Sequence, residues 1–167
     1  KSFTGYWLNL RHLRRDDPDI RLYPEYRLDE YLVDSMERET LLYFTTMVRE
    51  NLPVTTLVRS DFAFVNERLA QHYGIGDVFG PHFRQAPSAG DKHRGGILTA
   101  AGIMAMNSDG ADSHPLKRGV WLLERILQDP PPPPPANVPN LEDSKKEFKG
   151  REPRLSEMLA VHRENKL

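Results

Sequence analysis

The chain has 167 residues, 38% of them hydrophobic, which is enough to build one core or two small interlocked ones. Its 23 basic and 24 acidic residues leave a net charge of -1, so it lacks the positive field that attracts nucleic acid or anionic membranes. Because it has no cysteine, it can form no disulfide, no thiolate metal site and no thioether bond to haem. No apolar run approaches the roughly 20 residues of a membrane-spanning helix.

Apolar residues recur at helical spacing in six stretches, which predicts a mostly α-helical fold. The predicted helices cover residues 3–13, 29–51, 60–74, 98–106, 115–128 and 154–167. The third is expected to begin with Ser60 or Asp61 as its N-cap and to end at Gly74, in the left-handed conformation of a C-cap. Pro115 suits the first turn of the fifth helix.

Two segments break the helical pattern. The glycine- and proline-rich connector predicts a small β-hairpin near 82–97. A polyproline segment at 130–135 predicts an extended strut of roughly 19 Å, which should pack against apolar or aromatic residues. We therefore expect a helical domain at 1–80 and a second, helix-plus-loop domain at 81–167, which carries the polyproline strut and the C-terminal helix. The two are expected to pack as one unit with long loops.

The titratable residues suggest one weak catalytic candidate. None of the six histidines stands three or four residues from another, so no metal site is predicted. Acids at 30, 34 and 37 share one helix face beside Arg38 and predict a solvated charged surface. Glu39 lies nearer the apolar stripe, where a buried acid needs a cationic partner. A pocket that joins Glu39 to Arg38 or another cation, with a strongly raised pKa, would favour an enzyme.

The stretch "SHPLKRG" is a candidate anion-binding segment. Lys117 and Arg118 lie in the first turn of a predicted helix, where their positive charges oppose the helix dipole. A bound anion would offset this unfavourable interaction. The alternative is that they pair with acids elsewhere in the fold. "KHRGG" either adds cations and a close backbone approach to this place or forms a tight turn. The predicted anion-binding or interdomain surface comprises Arg94, Gly95, Gly96, His114, Lys117, Arg118 and Trp121.

Several stretches together resemble a pair of adjoining domains of unknown function from large exported planctomycete and related bacterial proteins, which also carry c-type cytochrome domains. They are, in order, "WLNLRHL", "LYPEY", "MERETLLYFTTMVREN", "SDFAFVNERLAQHYGI" and "RGGILTAAGIMAMNSDGADSHPLKRGVWLLERILQDPPPPPPANVP". In that family a Cys-x-x-Cys-His haem motif follows a helix similar to "RLSEMLAVHRENKL". The resemblance therefore implies haem c in an adjacent missing domain, no cofactor in this chain, and a periplasmic or otherwise extracytoplasmic location.

Two functions are compatible with these features. The first is a non-catalytic scaffold or interdomain module of an exported, c-type cytochrome-containing electron-transfer protein, whose partner is the adjacent cytochrome domain. The second is a catalytic domain of an extracytoplasmic enzyme that acts on carbohydrate-derived substrates, with a partly buried acid such as Glu39 transferring the proton. We expect the first.

Overall fold

The computed structural model describes residues 2–88, 94–133, 148 and 153–164. It divides the chain into two compact units, residues 1–130 and 131–167. The α-helices of the described residues are α1 (Ser2–Trp7), α2 (Glu30–Arg49), α3 (Glu67–Tyr73), α4 (Ala101–Met106), α5 (Pro115–Leu122) and α6 (Leu155–Glu164). The strands are β1 (Phe62–Val65) and β2 (Arg84–Pro87). The prediction of a mostly α fold is confirmed, and the described residues contain one small antiparallel strand pair.

Helix α2 is the longest of these helices, as predicted, and its start follows from a sequence signal. The Oδ1 atom of Asp29 accepts a hydrogen bond of 2.9 Å from the backbone N–H of Leu32, which caps the first turn. The side chains of Leu32, Met36, Tyr43 and Met47 recur at helical spacing and are buried. One face of α2 therefore packs into the core of residues 1–130.

Residues 62–65 form strand β1, so the predicted helix start at Ser60 or Asp61 is wrong. The side chains of Ala63 and Val65 are buried and alternate with half-buried neighbours, which is the period-two pattern of a strand. Aromatic and β-branched residues in this stretch also favour extended backbone.

The partner of β1 is β2, in antiparallel register. Phe62 lies opposite Pro87, and Val65 lies opposite Arg84. Only β2 falls inside the predicted hairpin range of 82–97. The connection between the strands therefore contains helix α3 rather than a tight turn.

Helix α3 begins and ends with recognisable caps. The Oδ1 atom of Asn66 accepts a hydrogen bond of 3.0 Å from the backbone N–H of Leu69. Gly74 ends the helix with a φ of 68°, as predicted for a left-handed C-cap.

Two predicted helices are interrupted. The 3–13 stretch divides into α1 and a 3₁₀ turn at Leu10–Arg14, because Asn9 adopts a φ of 62°. Asparagine is one of the few residues that tolerate this left-handed conformation. The 98–106 stretch likewise begins as a 3₁₀ turn at Ile97–Thr99 before α4 starts.

Residues on both sides of the predicted boundary near 80 share one core in the first unit. Helix α4 packs against α2 and against the 3₁₀ turn that follows α1. Gly102 allows close packing, since a Cβ atom there would lie 3.1 Å from the carbonyl oxygen of Met36. The indole N–H of Trp121, on α5, donates a hydrogen bond of 3.0 Å to the carbonyl oxygen of Leu8. These contacts connect distant parts of the chain within residues 1–130.

The structure describes the first four prolines of the predicted strut, and most of them are exposed. After α5, a π-helical turn at Leu123–Leu127 precedes the prolines. The side chains of Pro130, Pro132 and Pro133 are exposed, whereas Pro131 is half-buried. The expected packing is therefore wrong for these three prolines, and Pro134 and Pro135 lie outside the described residues.

Helix α6 of the second unit confirms the predicted final helix, and the side chain of Met158 on it is buried. Within the described ranges, none of the helices has the length and apolar character that a membrane crossing requires.

Candidate functional site

A small cavity lies beside α2 and α3 in the first unit. Its volume is about 10 Å³, which is room for one water-sized body. The polar side chains that line it are Glu39, Tyr43, Tyr73, Ser88, Arg94 and Thr99. The cavity therefore contains the weak catalytic candidate of the sequence together with a cation.

Glu39 projects from α2 into the interior and is only 4% exposed. Burial raises the pKa of its carboxyl group from 4.5 to about 8, because a charged carboxylate loses its hydration there. Hydrogen bonds from Tyr73 and from the backbone N–H of Ala101, and the charge of Arg94, lower the pKa by less. The carboxyl group is therefore mostly protonated and neutral at pH 7.

Tyr73, the last residue of α3, connects three helices through its phenol group. The hydroxyl donates a hydrogen bond of 2.7 Å to Oε2 of Glu39 on α2. It also accepts one of 2.7 Å from the backbone N–H of Ala101, which is one of the unpaired donors at the start of α4. Burial raises the pKa of Tyr73, so the phenol stays a neutral donor.

Arg94 is the cation of the cavity. Its guanidinium carbon lies 4.2 Å from the centroid of the Tyr73 ring, which is a cation–π contact. Arg38, the cation adjacent to Glu39 in sequence, instead lies over the ring of Phe83. The cavity therefore combines a buried acid of raised pKa with a cation that lies 55 positions away in the chain.

Two glycines allow the segment after Arg94 to reach the cavity. A Cβ atom on Gly95 would lie 2.4 Å from the carbonyl oxygen of Ser60. Gly96 has a φ of 71°, and a Cβ atom there would lie 2.5 Å from the carbonyl carbon of Val58. The close backbone approach considered for "KHRGG" is thus made to residues 57–60 and not to the "SHPLKRG" segment.

Ser88 follows β2 and lines the cavity from another side. Its Oγ atom is buried and has no hydrogen-bond partner among the described residues. An unsatisfied buried hydroxyl costs about 1–3 kcal/mol, so such groups are normally partnered.

The residues of the predicted anion-binding or interdomain surface fall into different environments. Arg94, Gly95 and Gly96 line the cavity. Trp121 is buried in the core and is therefore internal. The other three lie around the start of α5.

His114 is the N-cap residue of α5, but its side chain makes no capping hydrogen bond. Its Nε2 atom instead lies 2.8 Å from Oδ2 of Asp109. Backbone N–H groups, first that of Asp112, and the His114 ring lower the pKa of Asp109, so its carboxylate stays charged. A negative charge is therefore already present beside this helix start.

The two cations in the first turn of α5 make no ion pair with an acid among the described residues. Lys117 is exposed. Arg118 lies against the sulfur of Met104, at 3.1 Å, and within 3.4 Å of the hydroxyl of Ser113. Their role in binding an anion or another domain stays a prediction.

The acids on the opposite face of α2 form the predicted charged surface. Arg14 lies 3.0 Å from Oε2 of Glu37 and 4.0 Å from Oε2 of Glu30, and it also pairs with Asp34. These groups are largely exposed, and such pairs contribute little to stability.

The described histidines do not converge on one point. The Nδ1 atom of His72 lies 3.1 Å from the hydroxyl of Tyr26, and burial lowers the pKa of the ring. His93 lies outside the described residues. In the part of the chain that the structure describes, no group of three or more His, Asp or Glu residues is placed to hold a metal ion.

Sequence reasoning missed Tyr73 and Ser88 as members of the site. Tyr73 carried a usable signal, because a tyrosine on a buried helix face needs a partner for its hydroxyl. Ser88 stands in a connector without periodicity, so nothing in its sequence context indicated burial.

Comparison with protein families gives two adjacent matches. Residues 1–75 match PSD4, described as a protein of unknown function (DUF1592). Residues 94–166 match PSCyt3, described as a protein of unknown function (DUF1588). A search of curated proteins and a search of solved structures found no match.

The cavity draws on both matched segments. Glu39 and Tyr73 lie in the first, whereas Arg94 and Ala101 lie in the second. The buried carboxyl and the cation beside it are thus brought together by the packing of one segment on the other.

Proposed function

We propose that this chain is a non-catalytic interdomain module of an exported protein. The support is that it joins a PSD4 (DUF1592) segment to a PSCyt3 (DUF1588) segment, which together form a planctomycete-type, cytochrome-associated tandem of unknown function. The same protein would carry a c-type cytochrome domain, and haem c would belong to that domain because this chain has no cysteine. Its location would be extracytoplasmic.

The observation that carries this proposal is the shared core of residues 1–130. The backbone N–H of Ala101 binds the hydroxyl of Tyr73 in the other segment, and the indole of Trp121 binds the carbonyl of Leu8. Buried hydrogen bonds of this kind hold two segments in one geometry. A body with a fixed shape is what a spacer between functional domains requires.

The basic start of α5 is the proposed contact surface for the cytochrome domain. Lys117 is exposed, and neither it nor Arg118 has an acidic partner among the described residues. Unpaired cations attract a partner surface that carries carboxylates, including haem propionates. The charge pattern therefore favours an acidic partner.

Binding to the separately produced, haem-loaded cytochrome domain tests the proposal by isothermal titration calorimetry. We expect the double substitution Lys117→Glu and Arg118→Glu to weaken binding roughly tenfold or more at low salt, with an unchanged melting temperature. A matched control with the same charge change is Arg27→Glu with Arg59→Glu, two exposed arginines in the other segment. Equal weakening by both pairs, or no binding by the unaltered chain, would contradict the proposal.

The parent protein offers a second test. Purified from the exported fraction, it should show the Soret absorbance of haem c and a Cys-x-x-Cys-His motif in its sequence. An exported parent without a Soret band would refute the cytochrome context, whatever the binding assay shows.

The raised pKa of Glu39 and the presence of Arg94 in the same cavity favour a second candidate, an enzyme that acts on carbohydrate-derived substrates. The volume of about 10 Å³ opposes it, because a sugar ring needs far more space. Hydrolysis of a panel of chromogenic glycosides by the unaltered chain, lost in Glu39→Gln, would establish the enzyme. Equal background rates in both proteins would exclude Glu39 as its acid.

A further inference from the structure

The cavity beside Glu39 contains a buried polar atom that needs a partner. Ser88 lines a space large enough for one water-sized body, and its Oγ atom is buried without a hydrogen bond to any described residue. Polar cavities of this size are normally occupied, because an occupant recovers the lost hydrogen bond. The question is what kind of occupant the surrounding groups select.

The charge of Arg94 is the first indication. Arg94 stacks on the ring of Tyr73 and lines the cavity, yet it forms no ion pair with an acid among the described residues. Among the described residues of the wall, the one carboxyl group is that of Glu39, which is mostly neutral at pH 7. The described part of the wall therefore carries a net positive charge.

The hydrogen-bond donors are the second indication. One oxygen of Glu39 accepts from Tyr73, so a protonated Glu39 has an O–H group left to donate. The hydroxyl of Tyr43, another titratable group among the described lining residues, donates to the carbonyl oxygen of Thr56 at 2.6 Å. Ser88, Arg94 and protonated Glu39 thus all line this space, and each carries a hydrogen-bond donor.

We propose that this cavity is a binding site for one monatomic anion of the size of chloride, held by Ser88, Arg94 and the carboxyl group of Glu39. A cation and two neutral donors around a space of this size complement an anion better than they complement water. The site is composite, since Glu39 and Arg94 lie in different matched segments and Ser88 lies between them.

Anion binding and the proton on Glu39 are coupled in this site. A negative charge next to the carboxyl group disfavours its ionisation, so a bound anion raises the pKa of Glu39 further. By linkage, the anion binds most tightly when Glu39 is protonated, and its affinity falls as the pH rises through about 8. The structure thereby assigns a pH range to the binding.

Line broadening of ³⁵Cl resonances by the whole chain measures the affinity in solution. At pH 6.5 we expect Ser88→Ala and Arg94→Gln each to weaken chloride binding roughly tenfold, because each removes one donor to an anion. Lys117→Gln removes an exposed cation elsewhere and should leave the affinity unchanged. Raising the pH to 9.5 should weaken binding to the unaltered chain but not to Glu39→Gln, which stays neutral. Equal affinities in all these proteins would overturn the proposal.

Crystals of the whole chain in sodium bromide locate the anion directly. The expected result is an anomalous peak between Ser88, Arg94 and Glu39. A water without anomalous signal at this place, or a bromide peak without chloride binding in solution, would overturn the site. Neither outcome bears on the interdomain module, whose test is binding to the cytochrome domain.

Discussion

Replacing Glu39 by glutamine should remove a large pH dependence of stability. Glutamine keeps an oxygen that can accept from Tyr73 and, like the protonated carboxyl group, is neutral. The unaltered protein binds one proton at Glu39 when folded at pH 7, whereas an unfolded glutamate with a pKa of 4.5 binds almost none. Folding is therefore favoured by protons, and the substitution removes this coupling.

The magnitude follows from the two pKa values. A group whose pKa rises from 4.5 to about 8 on folding has its full stabilising effect below pH 4.5 and loses it progressively up to about pH 8. The loss in the free energy of unfolding across this range is about 5 kcal/mol. Since small domains are stable by about 5–15 kcal/mol, the effect is large enough to measure.

Urea denaturation between pH 4 and pH 9, in chloride-free gluconate buffers, is the assay. The difference in unfolding free energy between Glu39→Gln and the unaltered protein should change by about 5 kcal/mol in favour of the variant as the pH rises. Glu50→Gln, which removes an exposed carboxylate at the end of the same helix, is the control for a lost negative charge. A difference that stays constant from pH 4.5 to pH 8.5 would refute the argument.

Other titrating groups change the stability in a different pH range, or change it equally in both proteins and so cancel in the difference. A side-chain hydrogen bond from Arg21 lowers the pKa of Asp19 to about 2, so the stability it contributes is present above pH 3.8 and is lost as the pH falls towards 2. The lowered pKa of Asp109 acts in the same direction. Burial lowers the pKa of His72, which makes protonation below its ordinary pKa of 6.5 destabilising in both proteins alike.

Three further predictions concern groups that position the site, each measured by urea denaturation at pH 7. Tyr73→Phe should cost about 2–4 kcal/mol because it leaves buried hydrogen-bonding groups unpaired, and a loss under 1 kcal/mol would refute the hydrogen bond to Glu39. Gly96→Ala should cost about 3 kcal/mol or more, because the residue has a φ of 71° and the added Cβ atom would lie 2.5 Å from a backbone atom. Gly119→Ala should instead stabilise the protein by about 0.5–1 kcal/mol, because Gly119 is in a helix and its added Cβ atom would have no neighbour within 4 Å. Equal effects of the two alanines would contradict this reasoning. Asn66→Ala should cost about 2–3 kcal/mol because it removes an N-cap, a buried hydrogen bond to Ser35 and a part-buried one to Tyr31. An unchanged midpoint would show that these bonds contribute nothing.

Signals that act within a few residues were readable from the sequence. Asp29 and Gly74 mark the ends of helices because a cap depends only on the neighbouring backbone. The charged face of α2 was also readable, since helical spacing alone places its acids together. The order of the two family segments followed from their motifs.

Strand β1 shows where local signals are ambiguous. Phe62 and Val65 fit the helical spacing that continues through Leu69, whereas Ala63 and Val65 fit strand alternation. Pairing with β2, almost 20 residues later, decides between these readings because only a partner strand satisfies extended backbone.

By itself, the sequence determined that the chain is mostly helical, that it joins two recognisable segments, and that Glu39 lies near an apolar stripe where an acid needs help. The tertiary structure decided which groups surround this acid. Tyr73 donates a hydrogen bond to Glu39, and Arg94 and Ser88 line the same cavity, because helices and loops that are distant in sequence pack on one core. Helical spacing specifies which residues share a face, but only packing specifies which faces meet.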